Sequence, residues 1–430
     1  MIKEKLLRDP IHDLIAFDLG SAEDRVLVAA MDTAEVQRLR RVKQLGMAHM
    51  AYQGAEHSRF THSIGVMHLI RRMLGRLAPG EELDAETRLS AMCAGLLHDV
   101  GHGPFSHVME KFFREEHETW SKRVILDPST EINAVLVAYS PTLPAKVVAL
   151  LDGEATPRWL NALVSSQMDA DRFDYLLRDS HMTGVKYGIF DLERLLLLLR
   201  VSEDGEKIVV AAKGLLPVEK YLQSRYQMYR QVYFHKTVTA AEAMLMSLMD
   251  RARELAMDDR LPAIYPGPLL RLLRNEALDI GDFLALDDSV LLNAMNLWSR
   301  CEEPILADLS RRLLTRKLFK SLEIEADEEA DMLFDAKLMA ARDALERHGF
   351  DFRYYLRLSK SKDTPYRPYS SRGGSAIWIQ EEGDPARLHD VKEVSPTIRA
   401  FTESPYTIHR VFFPGESPEL RAEMGRILKG

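Results

Sequence analysis

Leu96-Leu97-His98-Asp99-Val100-Gly101-His102-Gly103-Pro104-Phe105-Ser106-His107 sets three imidazoles and a carboxylate between an apolar run and a Gly/Pro break. A His beside an Asp at a helix end offers one metal ion a nitrogen and an oxygen, and the glycines let backbone or substrate come close. The remaining ligands have to come from elsewhere. Eight of the fourteen histidines fall between His49 and His117, which is where chemistry is sought first.

Outward from that run the pattern is helical. From Asp32 to Leu45 an N-cap candidate (Asp32 or Thr33) precedes Val36, Leu39, Val42 and Leu45 at helical spacing, with Gly46 as a stop. The same periodicity predicts helices over about 58–78, 84–99, 104–125, 129–140, 159–182 and 214–254, so the fold is mostly α. β signals are sparse: Lys207–Ala211, after Glu203-Asp204-Gly205, reads as one strand of a hairpin. Phe350–Leu358, Ala376–Gln380 and Thr407–Phe413 carry aromatic and β-branched residues between breaks such as Tyr369-Ser370-Ser371-Arg372-Gly373-Gly374. This predicts a helical core over about 1–312 and a smaller C-terminal α+β segment over 313–430.

The 430 residues suffice for a large core and a smaller companion. With 46% hydrophobic and 28% charged residues the chain is neither disordered nor bilayer-embedded, and a net charge of -8 gives no basic footprint for nucleic acid. A local basic patch inside an acidic protein stays open. Cys93 and Cys301 form no C-x-x-C pair, which reads as free thiols in a reducing compartment. Met1–Pro10 has no hydrophobic leader core, and the leucine run Leu195–Leu199 is bounded by Arg194 and Arg200. The expected location is cytoplasmic, with no membrane partner.

Two stretches offer the missing ligands. In His57-Ser58-Arg59-Phe60-Thr61-His62-Ser63-Ile64-Gly65-Val66, His62 shares a helical face with Gly65 or Val66 and with Leu69, which turns it toward the bundle interior. Arg59 brings a cation to that face one turn earlier. Alone, such a His is more often a satisfied core residue. In Met168-Asp169-Ala170-Asp171-Arg172-Phe173-Asp174-Tyr175-Leu176-Leu177-Arg178-Asp179, the residues Asp171, Tyr175 and Asp179 recur at i, i+4 and i+8, whereas Asp174 and Arg178 read as a solvated i,i+4 pair. A carboxylate turned inward there needs a metal or a cation. Together His62, His98, Asp99 and Asp171 make a mixed N/O set suited to Mn, Fe, Zn, Ni or Co, with positions left for water. His102, His107 and His117 exceed what one ion needs; they suit acid/base and phosphate-positioning work, or are structural.

The order Asp9-Pro10-Ile11-His12, Gln37-Arg38-Leu39-Arg40, Lys43-Gln44-Leu45-Gly46, His57 to His62, Leu97 to His107 and Asp171 to Asp179 resembles the HD-domain phosphohydrolases. More narrowly it resembles the deoxynucleoside triphosphate triphosphohydrolases related to the SAM-and-HD-domain dNTPase. The likeness runs from about Leu7 to Lys320, with the HD motif region at about 55–182. It implies an HD-domain helical bundle that hydrolyses dNTPs to deoxynucleoside and inorganic triphosphate, in a homo-oligomer that is a tetramer or a dimer. It makes His62, His98, Asp99 and Asp171 the metal ligands, with Mg accompanying the substrate triphosphate. Arg59, His102, His117 and Arg172 would contact that triphosphate, Arg225 would reach it, and His107 would protonate the departing 5′ oxygen. Gln44 and Asp179 would hold the sugar 3′-hydroxyl, Tyr175 would pack where a 2′-hydroxyl would collide, and Leu45 and Tyr233 would border the base.

The resemblance also implies a GTP or dNTP effector site at a subunit contact, matched by Lys5, Asp32, Gln37, Arg40, Arg316 and Lys320. Arg316 and Lys320, at i,i+4, would put two cations on one helix face. Plain charged surface is the alternative. Arg8 stands where the relatives carry Asn, and Ala211 where a phosphate-binding Arg is expected, although Lys213 is kept. With these departures and no N-terminal SAM domain, activity without an activator, or a different effector, is the expectation. The same residues also fit an HD phosphohydrolase of another nucleotide or a phosphomonoester, or a nucleotide sensor or nucleic-acid-binding protein.

Overall fold

The computed structural model describes residues 4–80, 82–262, 267–324, 331–363, 376–403 and 406–429. It opens with a hairpin absent from the sequence reading. Strand β1 (Glu4–Asp9) pairs antiparallel with β2 (Asp13–Asp18), and Ile15 and Phe17, two apart, turn into the core. Helices α1 (Ala22–Met31) and α2 (Ala34–Arg38) follow, α1 capped by Ser21, which accepts from the Asp24 amide. The helix predicted over 32–45 ends sooner: after a turn at Leu39–Arg41, Val42 is extended and Lys43 bridges to Ser58. Gly46 is left-handed and does close the segment.

The central layer is α3 (Arg59–Leu77), α4 (Ala85–Leu97) and α9 (Ala170–Thr183), with α5 (His117–Leu126), α6 (Glu131–Tyr139), α7 (Leu143–Asp152) and the one-turn α8 (Asn161–Val164) between them in sequence. Asp84, Thr130 and Asp169 accept amide hydrogens at the starts of α4, α6 and α9, and left-handed Gly153 and Gly184 close α7 and α9. The helix predicted over 159–182 is thus two pieces. After α10 (Leu192–Leu198), β3 (Leu199–Val201) and β4 (Ile208–Ala211) form the hairpin predicted around 207–211. The helix predicted over 214–254 divides into α11 (Leu215–Met228) and α12 (Lys236–Met257), because the backbone widens into a π-turn at Tyr229–Tyr233 and His235 is extended.

Helices α13 (Gly267–Leu273), α14 (Ile280–Leu284), α15 (Asp288–Trp298) and α16 (Pro304–Leu314) follow α12. A first apolar core unites α3, α4, α9 and α11, and a second gathers α12, α13, α15 and α16 with Met47, Phe105, Met109 and Phe112. The loop after α4 therefore lies in the seam between them.

The C-terminal part is α+β. It holds β5 (Lys320–Ile324), α17 (Asp331–Arg347), α18 (Phe352–Tyr355), β6 (Arg357–Asp363), β7 (Trp378–Glu381), β8 (Asp384–Asp390), α19 (Val391–Val394), α20 (Pro396–Glu403), β9 (Tyr406–Phe413) and α21 (Pro418–Lys429). Strand β9 lies antiparallel between β5 and β6, while β7 pairs with β4 in parallel and with β8 antiparallel. Strands predicted at 376–380 and 407–413 correspond to β7 and β9. Of Phe350–Leu358 only the end is strand, since Asp351 caps the helical turn α18. The predicted break Tyr369–Gly374 lies outside the described residues. Among the described residues no single helix is long and apolar enough to cross a membrane, and Cys93 and Cys301 are both free.

Candidate metal and phosphate site

The periodicity of α3 carries His62 fully inside, facing the end of α4 and the start of α9. His62, His98 and Asp99 each offer one ligand atom, all within 4.8 Å of one another. His62 Nε2 lies 3.0 Å from Asp171 Oδ1, and His98 Nε2 is 3.3 Å from Asp99 Oδ1 and 3.8 Å from Asp171 Oδ1. Neither Nε2 has a hydrogen-bond partner, though both are buried. Two buried imidazole nitrogens and two carboxylates converge there, the mixed nitrogen and oxygen set that a divalent transition metal takes. Burial opposes a charged His62, yet Asp171 and Asp174 push its pKa up to about 10. Burial likewise opposes a charged Asp99, and the Arg59 guanidinium beside it holds it well below the usual carboxylate range.

The opposite ring nitrogens are tied down. His62 Nδ1 donates to Asp174 Oδ2 at 2.8 Å, and His98 Nδ1 donates to the Gly95 carbonyl at 2.8 Å. Both acceptors lack a hydrogen, so each Nδ1 carries one and each Nε2 is turned to the site. Here the sequence reading is corrected. Asp174 and Arg178 do pair, but the pair is completely buried rather than solvated, with Arg178 also on Asp9 and Asp174 also on His12. A Cβ on Gly65 would stand 1.9 Å from Asp174 Oδ1, so this mid-helix glycine leaves room for the charged pair.

The loop after α4 forms the second half. The helix predicted over 104–125 starts only at His117, because Phe105 and Ser106 are left-handed at φ 50° and 53°. Two such residues cost about 1–3 kcal/mol each. Asp288 accepts the Phe105 amide at 2.7 Å, and Ser106 Oγ donates to the Lys43 carbonyl while accepting from Arg59 Nε. Buried Arg38 donates to the His102 and Leu286 carbonyls. At Gly101 a Cβ would stand 2.1 Å from the His117 carbonyl, so the glycine admits a neighbouring backbone, and the Gly101 amide donates to Ser121 Oγ. His117 consequently stacks on His102, ring centres 3.8 Å apart. Glu110 Oε1 meets Nδ1 of both His107, at 3.1 Å, and His117. Sequence reasoning missed Glu110, Ser121, Gly65, Asp288 and the role of Asp174.

The third part lies along α9 and α11. Asp179 is held by His57 Nε2 at 2.7 Å and by Tyr233, whose hydroxyl donates at 2.8 Å; Tyr233 meets Tyr175 edge-on. Burial drives the Tyr175 phenol well above its ordinary range and keeps it un-ionised. Arg172 donates to the Ser166 carbonyl and Asp169, and Arg225 to Gln167. Leu45, Tyr175 and Tyr233 border the first core. Gln44 Oε1, His102 Nδ1 and Arg225 Nε are buried without a hydrogen-bond partner. Such atoms cost about 1–3 kcal/mol each unless a ligand or water satisfies them.

The set matched to an effector site divides. Lys5 pairs with Asp32 at 3.1 Å, Arg40 donates to Gln37, and Arg40 lies over the Phe60 ring, so these four stand on adjoining elements. Arg8 pairs with Asp13 across the hairpin, and Lys213 with Glu382. Arg316 and Lys320 do not share a helix face. Helix α16 stops at Leu314, Arg316 is left-handed and donates to the Met50 carbonyl, and Lys320 begins β5.

Residues 59–176 match the HD domain model and 190–261 the HD associated region. YwfO of Bacillus subtilis, an uncharacterised protein, is 37% identical over 416 residues, spanning 96% of this chain and 92% of that one. The deoxynucleoside triphosphate triphosphohydrolase SAMHD1 homolog of Dictyostelium discoideum is 31% identical over 278 residues. That match takes in 60% of this chain and 51% of the relative, so the chain spans about half that protein's length. The crystal structure of a phosphohydrolase from Bacteroides thetaiotaomicron superposes with a TM-score of 0.81 at 28% identity, over 96% of this chain and 100% of that one.

Proposed function

The chain belongs to the HD-domain phosphohydrolase family, and from that premise we propose that it hydrolyses deoxynucleoside triphosphates to deoxynucleoside and inorganic triphosphate. The observation that carries this reading is the set of buried, partnerless polar atoms on Gln44, His102 and Arg225, of which His102 adjoins the ligand cluster through Asp99. A sugar hydroxyl and phosphate oxygens are what those atoms lack.

His62, His98, Asp99 and Asp171 would hold a divalent transition metal, which would supply Lewis acidity toward water and phosphate oxygen. Arg59, Arg172 and Arg225 offset the charge of the triphosphate, and His102 and His117 orient its oxygens. Water adds at the α-phosphorus, its hydroxyl staying on the triphosphate and its proton passing to solvent, as the bond to the 5′ oxygen breaks. His107, its Nδ1 on Glu110, has Nε2 left to give that oxygen a proton, so the deoxynucleoside departs neutral and the triphosphate whole. Asp179 and Gln44 take the 3′-hydroxyl, and Tyr175 occupies the space of a 2′-hydroxyl, which is how ribonucleotides are refused. The patch of Lys5, Asp32, Gln37 and Arg40 takes a nucleotide effector such as GTP in a homo-oligomer.

Purified protein should turn over dNTPs, and His107→Ala and Asp171→Ala should each lose at least about 100-fold in rate. Unchanged turnover in either would overturn the assignment. Adding GTP to a dATP assay alongside sizing chromatography tests the effector: an unaltered rate and mass would make that patch plain surface.

A further inference from the structure

We propose a second transition-metal site, built from His102, His107, Glu110 and His117 in the phosphate half of the pocket and distinct from the cluster of His62, His98, Asp99 and Asp171. The four side chains each offer one donor atom, and these lie within 4.8 Å of one another. Four ligands about 2.0–2.1 Å from a tetrahedral zinc stand about 3.3 Å apart, so the set closes when the widest pairs contract by up to about 1.5 Å and the His117–Glu110 pair opens. Glu110 Oε1 and His107 Nδ1, at 3.1 Å, already have that spacing.

Two further observations point to an ion. Both His107 and His117 bring Nδ1 to the same oxygen of Glu110, so three of the four ligand atoms already meet at one point. His102 is almost completely buried, its Nε2 lies 3.3 Å from Asp99, and its other nitrogen, Nδ1, has no partner. The stacked His102 and His117 rings bring the nitrogens of two elements, the loop after α4 and the start of α5, to one place. Three imidazoles and one carboxylate select zinc or cobalt over magnesium or calcium, which prefer all-oxygen ligands. An ion here would draw on His102 and His117, assigned above to phosphate, and would replace the proton on His107 Nδ1, so zinc beyond the first equivalent should slow turnover. That consequence rests on the proposed function; the binding does not.

The test is a cobalt(II) titration of the chelator-stripped chain of 430 residues, followed by equilibrium dialysis and visible absorption. The site predicts a second equivalent in the unmutated chain, accompanied by the intense bands of four-coordinate cobalt. Glu110→Gln and His117→Gln should each lose that equivalent and those bands, with circular dichroism unchanged. Asp171→Asn should keep the bands and weaken the other equivalent. One equivalent only in the unmutated chain, or bands that survive both Glu110→Gln and His117→Gln, would overturn the site while leaving the proposed hydrolysis standing.

Discussion

His62 Nδ1 stands 2.8 Å from Asp174 Oδ2, and that contact decides which nitrogen of the imidazole meets an ion. Asp174 is no ligand in the proposed set. It takes the far side of His62 and is itself fixed by Arg178 and His12.

Asp174→Asn should therefore weaken metal binding without removing a ligand. Loss of such an outer carboxylate typically lowers affinity about 10–100-fold, and it also leaves Arg178 with Asp9 alone, at a cost of about 3–5 kcal/mol if the buried charge goes uncompensated. Competition with a chromophoric chelator, together with thermal unfolding, measures both. Affinity within a factor of about two of the unmutated protein would refute the role.

Gly65→Ala should lower both the melting temperature and the metal content, because the added Cβ would stand 1.9 Å from Asp174 Oδ1. Gly75 lies on the same helix with nothing within 4 Å of its Cβ position, so Gly75→Ala should be neutral or stabilise by about 0.4–1 kcal/mol. Equal effects of the two substitutions would contradict the crowding argument.

Glu242, on α12, has its carboxyl pushed up to about 7 by burial, from an ordinary value of 4.5. Between those values the folded chain binds more protons than the unfolded one, so stability falls as pH rises through about 7. Glu242→Gln should raise the melting temperature at pH near 8 by about a degree or two and leave it almost unchanged near pH 4.5. A gain that is the same at both pH values would show that the carboxyl is not desolvated.

Tyr175→Ala should admit ribonucleotides. Opening room for one hydroxyl is worth roughly 10–200-fold in relative kcat/KM, read as the ATP to dATP ratio before and after substitution. Equal rates on ATP and dATP in the unmutated protein would already sink the gate.

Part of this site was legible in the chain. His62 declared itself by sharing a helical face with Leu69, and Asp171 by recurring with Tyr175 and Asp179. Asp174 and Arg178 misled because i,i+4 spacing is the same for solvated and buried pairs. What separates them here is Asp9 and His12, more than 160 residues away. Gly65 did carry a signal: a glycine in mid-helix costs about 1 kcal/mol against alanine, which asks for a packing reason. The loop at Phe105 and Ser106 carried none, since two non-glycine residues in left-handed conformations are imposed by Asp288 and Lys43 from distant segments. The first hairpin went unread although Ile15 and Phe17 already alternated between Asp13 and Asp18.

Phosphorus NMR of the products from metal-loaded protein and dATP tests the central claim most directly. Attack at the α-phosphorus with loss of the 5′ oxygen predicts intact inorganic triphosphate and deoxyadenosine in equal amounts. Orthophosphate or pyrophosphate as the first product would place the cleaved bond elsewhere and contradict the account.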